Sequence, residues 1–227
     1  FCFVWPLVLF FAGAPFSVPG VLCLRHHSRR ARAAQSPRGF GELAATVLLV
    51  LGTVAVYLQV MLPSNLCADS YWYHLPVAEH YVAAGRITRF AEGWYVGAYP
   101  QLASLLYTWA FLTPGTFTDH VMLCAHLEFA LFLGTLLGVS ALAGRLLPDR
   151  RLPWAAAAMF LFPKLFVYDS NLNTGADHIL AFFGPPLLIA LVRLHRSFTH
   201  REALVAGIIF AGALSTKYQA CYFALPA

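Results

Sequence analysis

The chain carries little charge for its length. Of its 227 residues, 11% are Asp, Glu, Lys or Arg, and 59% are hydrophobic. Ordinary soluble domains have roughly 25% charged residues, and disordered segments and nucleic-acid-binding modules need more surface charge still. The sequence therefore predicts a multi-pass membrane protein without a nucleic-acid partner.

Cysteine is also scarce, and several common catalytic motifs are missing. The five cysteines are odd in number and contain no CxxC pair, which excludes a disulfide framework and a thiolate zinc site as expectations. The run from His74 to His80 has neither HExxH nor HxxEH spacing, so it does not indicate a metalloprotease. There is no glycine-rich phosphate loop and no GxSxG motif.

Long apolar stretches dominate what is present. Because a spanning helix needs about 20 apolar residues, six stretches are candidate spans: 1–24, 43–62, 121–143, 152–168, 179–194 and 203–223. The fourth and fifth are short for a full span. We therefore expect an all-α fold, a polytopic transmembrane helical bundle that forms a single membrane domain over 1–227.

Arginine is concentrated on one side of this topology. Eleven of the thirteen arginines follow the first, third and fifth stretches, and the positive-inside rule assigns those connections to the cytoplasm. The opposite side then carries the longest loop, 63–120, which is rich in aromatic residues. Within it the sequence predicts short helices at Pro76–Ala84 and Pro100–Leu112, which we expect to lie in the membrane interface.

Two acids on the outer side are candidates for catalysis. Asp69 follows the second span, and Asp177 directly precedes the fifth. A carboxylate at the membrane boundary can act as a general base, and two converging carboxylates can divide acid and base roles or bind a divalent metal. The alternative for both is helix capping, which Asp favours at a helix start.

Three cations are candidates for binding a phosphate group. Lys217 and Lys164 are the only lysines, and both lie toward the outer ends of apolar stretches, where a lipid phosphate is an apt partner. Snorkelling to the interface is the alternative reading. Arg86 in the outer loop could also meet phosphate, or it could be an ordinary surface residue.

Other ionisable residues are candidates for support. Glu128 lies within the third span, where an ionisable residue indicates a function or a buried partner for a lysine. His74 and His178 follow the two acidic segments closely. A metal site built on histidine is not expected, and no cofactor is required by the pattern.

Four short segments follow one another in a recognisable order. They are Asp69-Ser-Tyr-Trp-Tyr-His-Leu-Pro76, Tyr99-Pro-Gln-Leu102, Asn173-Thr-Gly-Ala-Asp177 and Ser215-Thr-Lys-Tyr218. In these segments the chain resembles the GT-C superfamily of integral-membrane glycosyltransferases, in the bacterial branch related to dolichyl-phosphate-mannose protein mannosyltransferases and lipid A aminoarabinose transferase. The resemblance covers most of the chain from about Leu43 onward.

The resemblance implies transfer of a sugar from a polyprenyl-phosphate donor to a lipid, glycan or protein acceptor. Asp69 would match the first-loop acid that activates the acceptor, Asp177 the second acid, and Lys217 the cation near the lipid phosphate. The chain would be the N-terminal part of a longer protein. It would span the bacterial inner (plasma) membrane among its lipids, with the active site facing the periplasm or the exterior.

A secondary transporter is the main alternative. In that case Lys217, Glu128 and Asp177 would line a substrate or proton path near the middle of the membrane. The long, aromatic outer loop favours the transferase, because transporters usually have short loops. A non-catalytic membrane scaffold is a third interpretation, with the same loop as a docking surface.

Overall fold

The computed structural model describes residues 39–88, 90, 95–146, 154, 157–158, 160–161 and 172–223. Of these residues 82% are helical and none forms a strand, so the predicted all-α fold is confirmed for this part of the chain. In chain order the α-helices are α1 (Phe40–Val60), α2 (Leu75–Ala84), α3 (Leu102–Phe111), α4 (Phe117–Leu146), α5 (Asp177–Ser197) and α6 (His200–Thr216). A π-helical turn, Ser70–His74, leads into α2, and 3₁₀ helices occupy Tyr95–Ala98 and Tyr218–Phe223.

Three of the helices are long and apolar enough to cross a membrane. They are α1, α4 and α5, with 21, 30 and 21 residues. At 1.5 Å per residue even the shorter two reach about 32 Å, which matches a hydrocarbon core of about 30 Å. The chain is therefore a membrane protein by the length and composition of its helices. The predicted stretch 1–24 and most of 152–168 lie outside the described residues.

The sixth predicted stretch, 203–223, is not one helix. Helix α6 ends at Thr216, Lys217 has extended backbone, and a 3₁₀ helix follows over Tyr218–Phe223. The apolar composition of the stretch hid this break. The Lys217 side chain forms an ion pair with Asp177 on another helix, and that contact lies where the helix stops.

Local signals explain where the shorter elements begin and end. Pro76 occupies the first turn of α2, directly after the π-helical turn, and Gly85 closes the helix with a left-handed φ of 63°. Before α6, the Thr199 hydroxyl accepts the Glu202 N–H at 3.3 Å, the contact of an N-terminal cap. The short helices predicted in the 63–120 loop are therefore present as α2 and α3, close to their expected bounds.

Close contacts between α4 and α5 determine their direction. A Cβ added to Gly134 would meet Phe182, and one added to Gly138 would meet Pro185. The later residue on α4, Gly138, thus meets the later residue on α5, Pro185, so α4 and α5 run parallel. Small residues allow such close approach of helices within a membrane.

Helices α1 and α6 pack antiparallel to this pair. Helix α1 packs on α4, with Tyr57 against Phe129 near one end, and Leu49 and Leu136 share an apolar cluster further along. Helix α6 follows α5 after a two-residue connection and returns beside it, with Gly212 against Phe183.

This arrangement gives the bundle two chemically different ends. The end of α1, the starts of α4 and α5 and the end of α6 lie together, and we call this the cavity end. Four arginines lie at the opposite end of their helices or just beyond it, and we call this the arginine end. They are Arg145, Arg193, Arg196 and Arg201.

Candidate functional site

A cavity of about 580 Å³ opens at the cavity end of the bundle. Such a volume is typical of small-molecule sites, which range over roughly 300–1,000 Å³. Three separate segments line it: Asp69 with the π-helical turn, the entry to α3, and the residues at and after the end of α6. The lining residues are Asp69, Trp72, Tyr73, Tyr99, Pro100, Thr216, Lys217, Tyr218, Gln219, Cys221 and Tyr222.

Asp69 is half-buried in this cavity and does not cap a helix. It has helical backbone angles, and its side chain makes no capping hydrogen bond. The Tyr73 hydroxyl instead donates to Asp69 Oδ2 at 3.2 Å. Burial, followed by the charge of Asp69, raises the pKa of Tyr73 well above its ordinary value of 10. Tyr73 therefore stays a protonated donor that orients the carboxylate, and the capping interpretation of Asp69 does not hold.

Asp177 and Lys217 form an ion pair beside Asp69. Lys217 Nζ donates to Asp177 Oδ1 at 2.8 Å, with Lys217 16% exposed and Asp177 70% exposed. Asp177 is the first residue of α5, so it also carries a negative charge at the positive end of that helix. Because α6 returns antiparallel to α5, Lys217 at the end of α6 lies beside Asp177 at the start of α5. Lys217 lines the cavity directly, and Asp177 reaches it through Lys217.

The loop before Asp177 is held by a buried carboxylate. Glu128, fully buried on α4, accepts the Thr174 N–H at 2.8 Å through Oε2. Thr174 has a φ of 60°, an uncommon conformation for a β-branched residue. Strain of this kind costs about 1–3 kcal/mol and persists only where neighbouring contacts impose it. The contact that places Glu128 is thus with the loop before Asp177.

The same loop is also tied to the first acidic segment. The Ser70 hydroxyl donates to the Asn173 carbonyl, and the Cys67 N–H donates to the same oxygen at 3.3 Å. From α3, the buried Tyr107 hydroxyl donates to the Gly175 carbonyl at 2.6 Å. The bonds of Ser70 and Cys67 fix the segment that carries Asp69 against the segment that carries Asp177, and the Tyr107 bond fixes the latter against α3. Sequence analysis missed Ser70 and Tyr107, because no local pattern marks a contact with a distant backbone carbonyl.

The two histidines lie behind the cavity and do not line it. His74 is buried, contacts the Ser104 hydroxyl at 3.0 Å and packs on the Tyr73 ring at 4.1 Å between centroids. Burial first, and then the charge of Lys217, lower its pKa from 6.5 to about 3, so His74 is neutral at physiological pH. His178 is buried edge-on against Phe132 at 5.6 Å.

The other two phosphate candidates are not at the cavity. Arg86 is exposed just beyond α2 and is not among the lining residues. It follows Asp69 by 17 residues of largely helical chain, which is about 25 Å at 1.5 Å per residue. Lys164 lies outside the described residues.

The described residues contain no group of three His, Cys, Asp or Glu side chains placed to hold a metal ion. Asp177 is engaged with Lys217, and the partner of Asp69 is a tyrosine. The donor set of this part of the chain therefore does not fit a metal.

Comparisons of the chain with protein-family models, curated proteins and solved structures find no match.

Proposed function

We propose that the cavity is the active site of a membrane glycosyltransferase that moves a sugar from a polyprenyl-phosphate donor to a hydroxyl acceptor. The observation that carries this proposal is the meeting of a tyrosine-bound carboxylate, Asp69, with the cation Lys217 in one cavity at a helix end. Glycosyl transfer to a hydroxyl needs a base for the acceptor and a cation for the leaving phosphate. The sequence resemblance to GT-C transferases supports the same assignment.

Asp69 serves as the general base. The acceptor oxygen forms a bond to the anomeric carbon of the sugar while the bond from that carbon to the phosphate oxygen breaks. The acceptor hydroxyl proton passes to the Asp69 carboxylate, and the bonding electron pair leaves with the polyprenyl phosphate. Tyr73 holds one carboxylate oxygen at 3.2 Å, which leaves the other to receive the proton.

Lys217 stabilises the charge that develops on the leaving phosphate. In the absence of donor, Lys217 pairs with Asp177. When the donor binds, its phosphate competes with the Asp177 carboxylate for the Lys217 ammonium group. Asp177 is 70% exposed, so separating the pair leaves the carboxylate hydrated. Donor binding therefore transfers Lys217 from Asp177 to the phosphate, and Asp177 holds the ammonium group in place between turnovers.

An apolar groove provides surface for the prenyl chain. It has a volume of about 230 Å³ between α5 and α6, and its lining includes Leu191, Ala203, Phe210 and Phe223. Phe223 directly follows Tyr222, which lines the cavity. A donor with its phosphate at Lys217 can thus continue into apolar surface, where each buried CH₂ contributes about 0.8 kcal/mol.

The proposal places the cavity on the non-cytoplasmic side. The described arginines of the arginine end lie opposite the cavity end, and arginine-rich connections face the cytoplasm by the positive-inside rule. In a bacterial cell this orients the cavity to the periplasm or the exterior. The ion pair also lies at helix ends, whereas transporter sites form near the bilayer midplane, and this supports a transferase over a secondary transporter.

The test uses the purified protein in proteoliposomes with a pool of radiolabelled polyprenyl-phosphate sugars. We expect Asp69→Asn to lower the release of free polyprenyl phosphate by about 10²–10⁴-fold, the usual contribution of a general base. Glu79→Gln is the matched control, because Glu79 is an exposed acid on α2 outside the cavity. Equal turnover in Asp69→Asn and wild type would refute the assignment. Solute flux without donor consumption would favour the transporter.

A further inference from the structure

Four aromatic side chains form a closed ring at the cavity. Trp72, Tyr73, Tyr99 and Tyr95, here named the aromatic tetrad, contact one another in sequence and back to the first. The ring centroids lie 6.4 Å apart for Trp72–Tyr73, 5.9 Å for Tyr73–Tyr99, 5.8 Å for Tyr99–Tyr95 and 5.7 Å for Tyr95–Trp72, with interplanar angles of 74° to 85°. Each pair thus has the edge-to-face geometry that aromatic rings prefer.

Contacts on two sides hold the tetrad in place. The Tyr73 hydroxyl donates to Asp69. The Tyr218 hydroxyl, from the 3₁₀ helix after Lys217, donates to the Ala98 carbonyl at 2.9 Å and so fastens that helix to the turn between Tyr95 and Tyr99. Side chains ordered before binding lose little entropy when a ligand arrives. The tetrad is therefore a preorganised surface.

Its position separates it from an ordinary interfacial belt. Aromatic residues with polar ends collect at membrane interfaces in general, and Trp109 on α3, 44% exposed and outside the cavity, fits that description. Trp72 is exposed to a similar degree, 51%, but it lines the concave cavity with Tyr73 and Tyr99. Two exposed rings, Trp72 and Tyr99, thus converge with the buried Tyr73 in a cavity beside a carboxylate, and such an arrangement indicates a ligand site.

The chemistry of the lining selects the ligand class. Among the lining residues that the structure describes, only Asp69 and Lys217 carry a formal charge, and Lys217 is paired with Asp177. A pyranose ring has an apolar C–H face that packs on aromatic rings, and hydroxyls around its edge that donate to a carboxylate. We propose that the aromatic tetrad binds a neutral carbohydrate, with a hydroxyl directed to Asp69.

The tetrad lies on the acceptor side of the proposed reaction. Tyr73 belongs to the tetrad and also holds Asp69, the proposed base, whereas the donor phosphate is assigned to Lys217 from another segment. A sugar stacked on the tetrad thus presents a hydroxyl to the base. Its role as the acceptor rests on the proposed transferase function; the binding of a neutral carbohydrate does not.

The experiment measures carbohydrate binding without any donor. The protein in nanodiscs is titrated with neutral di- and trisaccharides, and binding is followed by NMR saturation transfer from the protein to the sugar protons. We expect transfer to the C–H face of the sugar, a dissociation constant weakened about tenfold in Trp72→Leu, and near-wild-type binding in Trp72→Phe, which keeps a ring. Trp109→Leu is the matched control and should bind as wild type does.

Two results would overturn the proposal. One is that no neutral saccharide shows saturation transfer, whether or not a serine-containing peptide binds in its place. The other is an equal loss in Trp72→Leu and Trp109→Leu. A third result separates the two proposals. If saccharide binding depends on Trp72 but the protein releases no polyprenyl phosphate, the carbohydrate site is supported and only the transferase function is refuted.

Discussion

Replacing Lys217 with methionine tests whether the Lys217 charge acts in catalysis or in holding the fold together. The substitution keeps the length of the side chain and removes its charge. In the structure Lys217 bonds Asp177 at 2.8 Å, and Asp177 is 70% exposed. Because the Asp177 carboxylate is largely hydrated, although Lys217 is only 16% exposed, loss of the pair should lower the free energy of unfolding by only about 0.2–1 kcal/mol.

Turnover should respond far more strongly. Removing one preorganised charge that stabilises a developing anion usually lowers kcat by about 10²–10³-fold. We therefore expect Lys217→Met to fold almost as stably as wild type, measured by denaturant unfolding in detergent, yet to release polyprenyl phosphate hundreds of times more slowly in proteoliposomes. Lys217→Arg, which keeps the charge, should recover part of the rate.

Asp177→Asn tests the exchange of Lys217 between its two anions. If Asp177 competes with the donor phosphate for an ion pair worth at most about 1 kcal/mol, removing its charge should lower the KM for the donor by up to about fivefold. A raised KM in Asp177→Asn, similar to that of Lys217→Met, would refute the exchange. Unchanged turnover in Lys217→Met would refute the assignment of Lys217 to the donor phosphate.

Two further predictions concern packing and pH. Gly138→Ala should destabilise the bundle by about 1–3 kcal/mol, because the added Cβ would meet the rigid Pro185 ring at 3.0 Å. Gly207→Ala should be neutral or slightly stabilising, because nothing lies within 4 Å of the added Cβ. Thermal unfolding compares the two variants. The pKa of His74 falls from 6.5 to about 3 on folding, so the unfolded chain takes up a proton below pH 6.5 that the folded chain does not. The stability due to neutral His74 is complete above pH 6.5, and about 2 kcal/mol of it is lost by pH 5. In His74→Gln this loss should be absent from unfolding free energies measured at pH 7.5 and 5; an unchanged pH dependence would contradict the assignment.

Several features of the fold could be predicted from short stretches of sequence. Helices α1, α4 and α5 occur where apolar runs predict them, because the length and hydropathy of a run are local properties. Helix α2 ends at Ala84, where the sequence predicts its end, and the left-handed residue that follows is glycine, Gly85. Lys217 shows the limit of this reasoning, because apolar composition on both sides of it hid the end of α6.

The charged residues of the candidate site could be identified from the sequence, but only part of the contacts between its residues could be. Asp69, Asp177 and Lys217 were identified because charges next to apolar spans are costly and mark function. The spacing of Asp69 and Tyr73, four residues apart on a helical turn, was a signal for their hydrogen bond that sequence analysis did not use. The contacts of Glu128 with Thr174 and of Tyr107 with Gly175 had no local signal, because each joins segments distant in the chain.

Local sequence was enough to predict that the described part of the chain is helical, that the protein is a membrane protein, and that charged residues lie at the ends of apolar segments. This follows because backbone groups inside a bilayer must form their hydrogen bonds internally, so a long apolar run forms a helix whatever surrounds it. Which charges meet depends instead on how the helices pack. The parallel packing of α4 and α5 and the return of α6 bring Lys217 to Asp177, and bonds to the Asn173 and Gly175 carbonyls fix the segments that carry the two acids. Those contacts depend on how close the helices can approach, which is a property of the packed bundle and of no single stretch of chain.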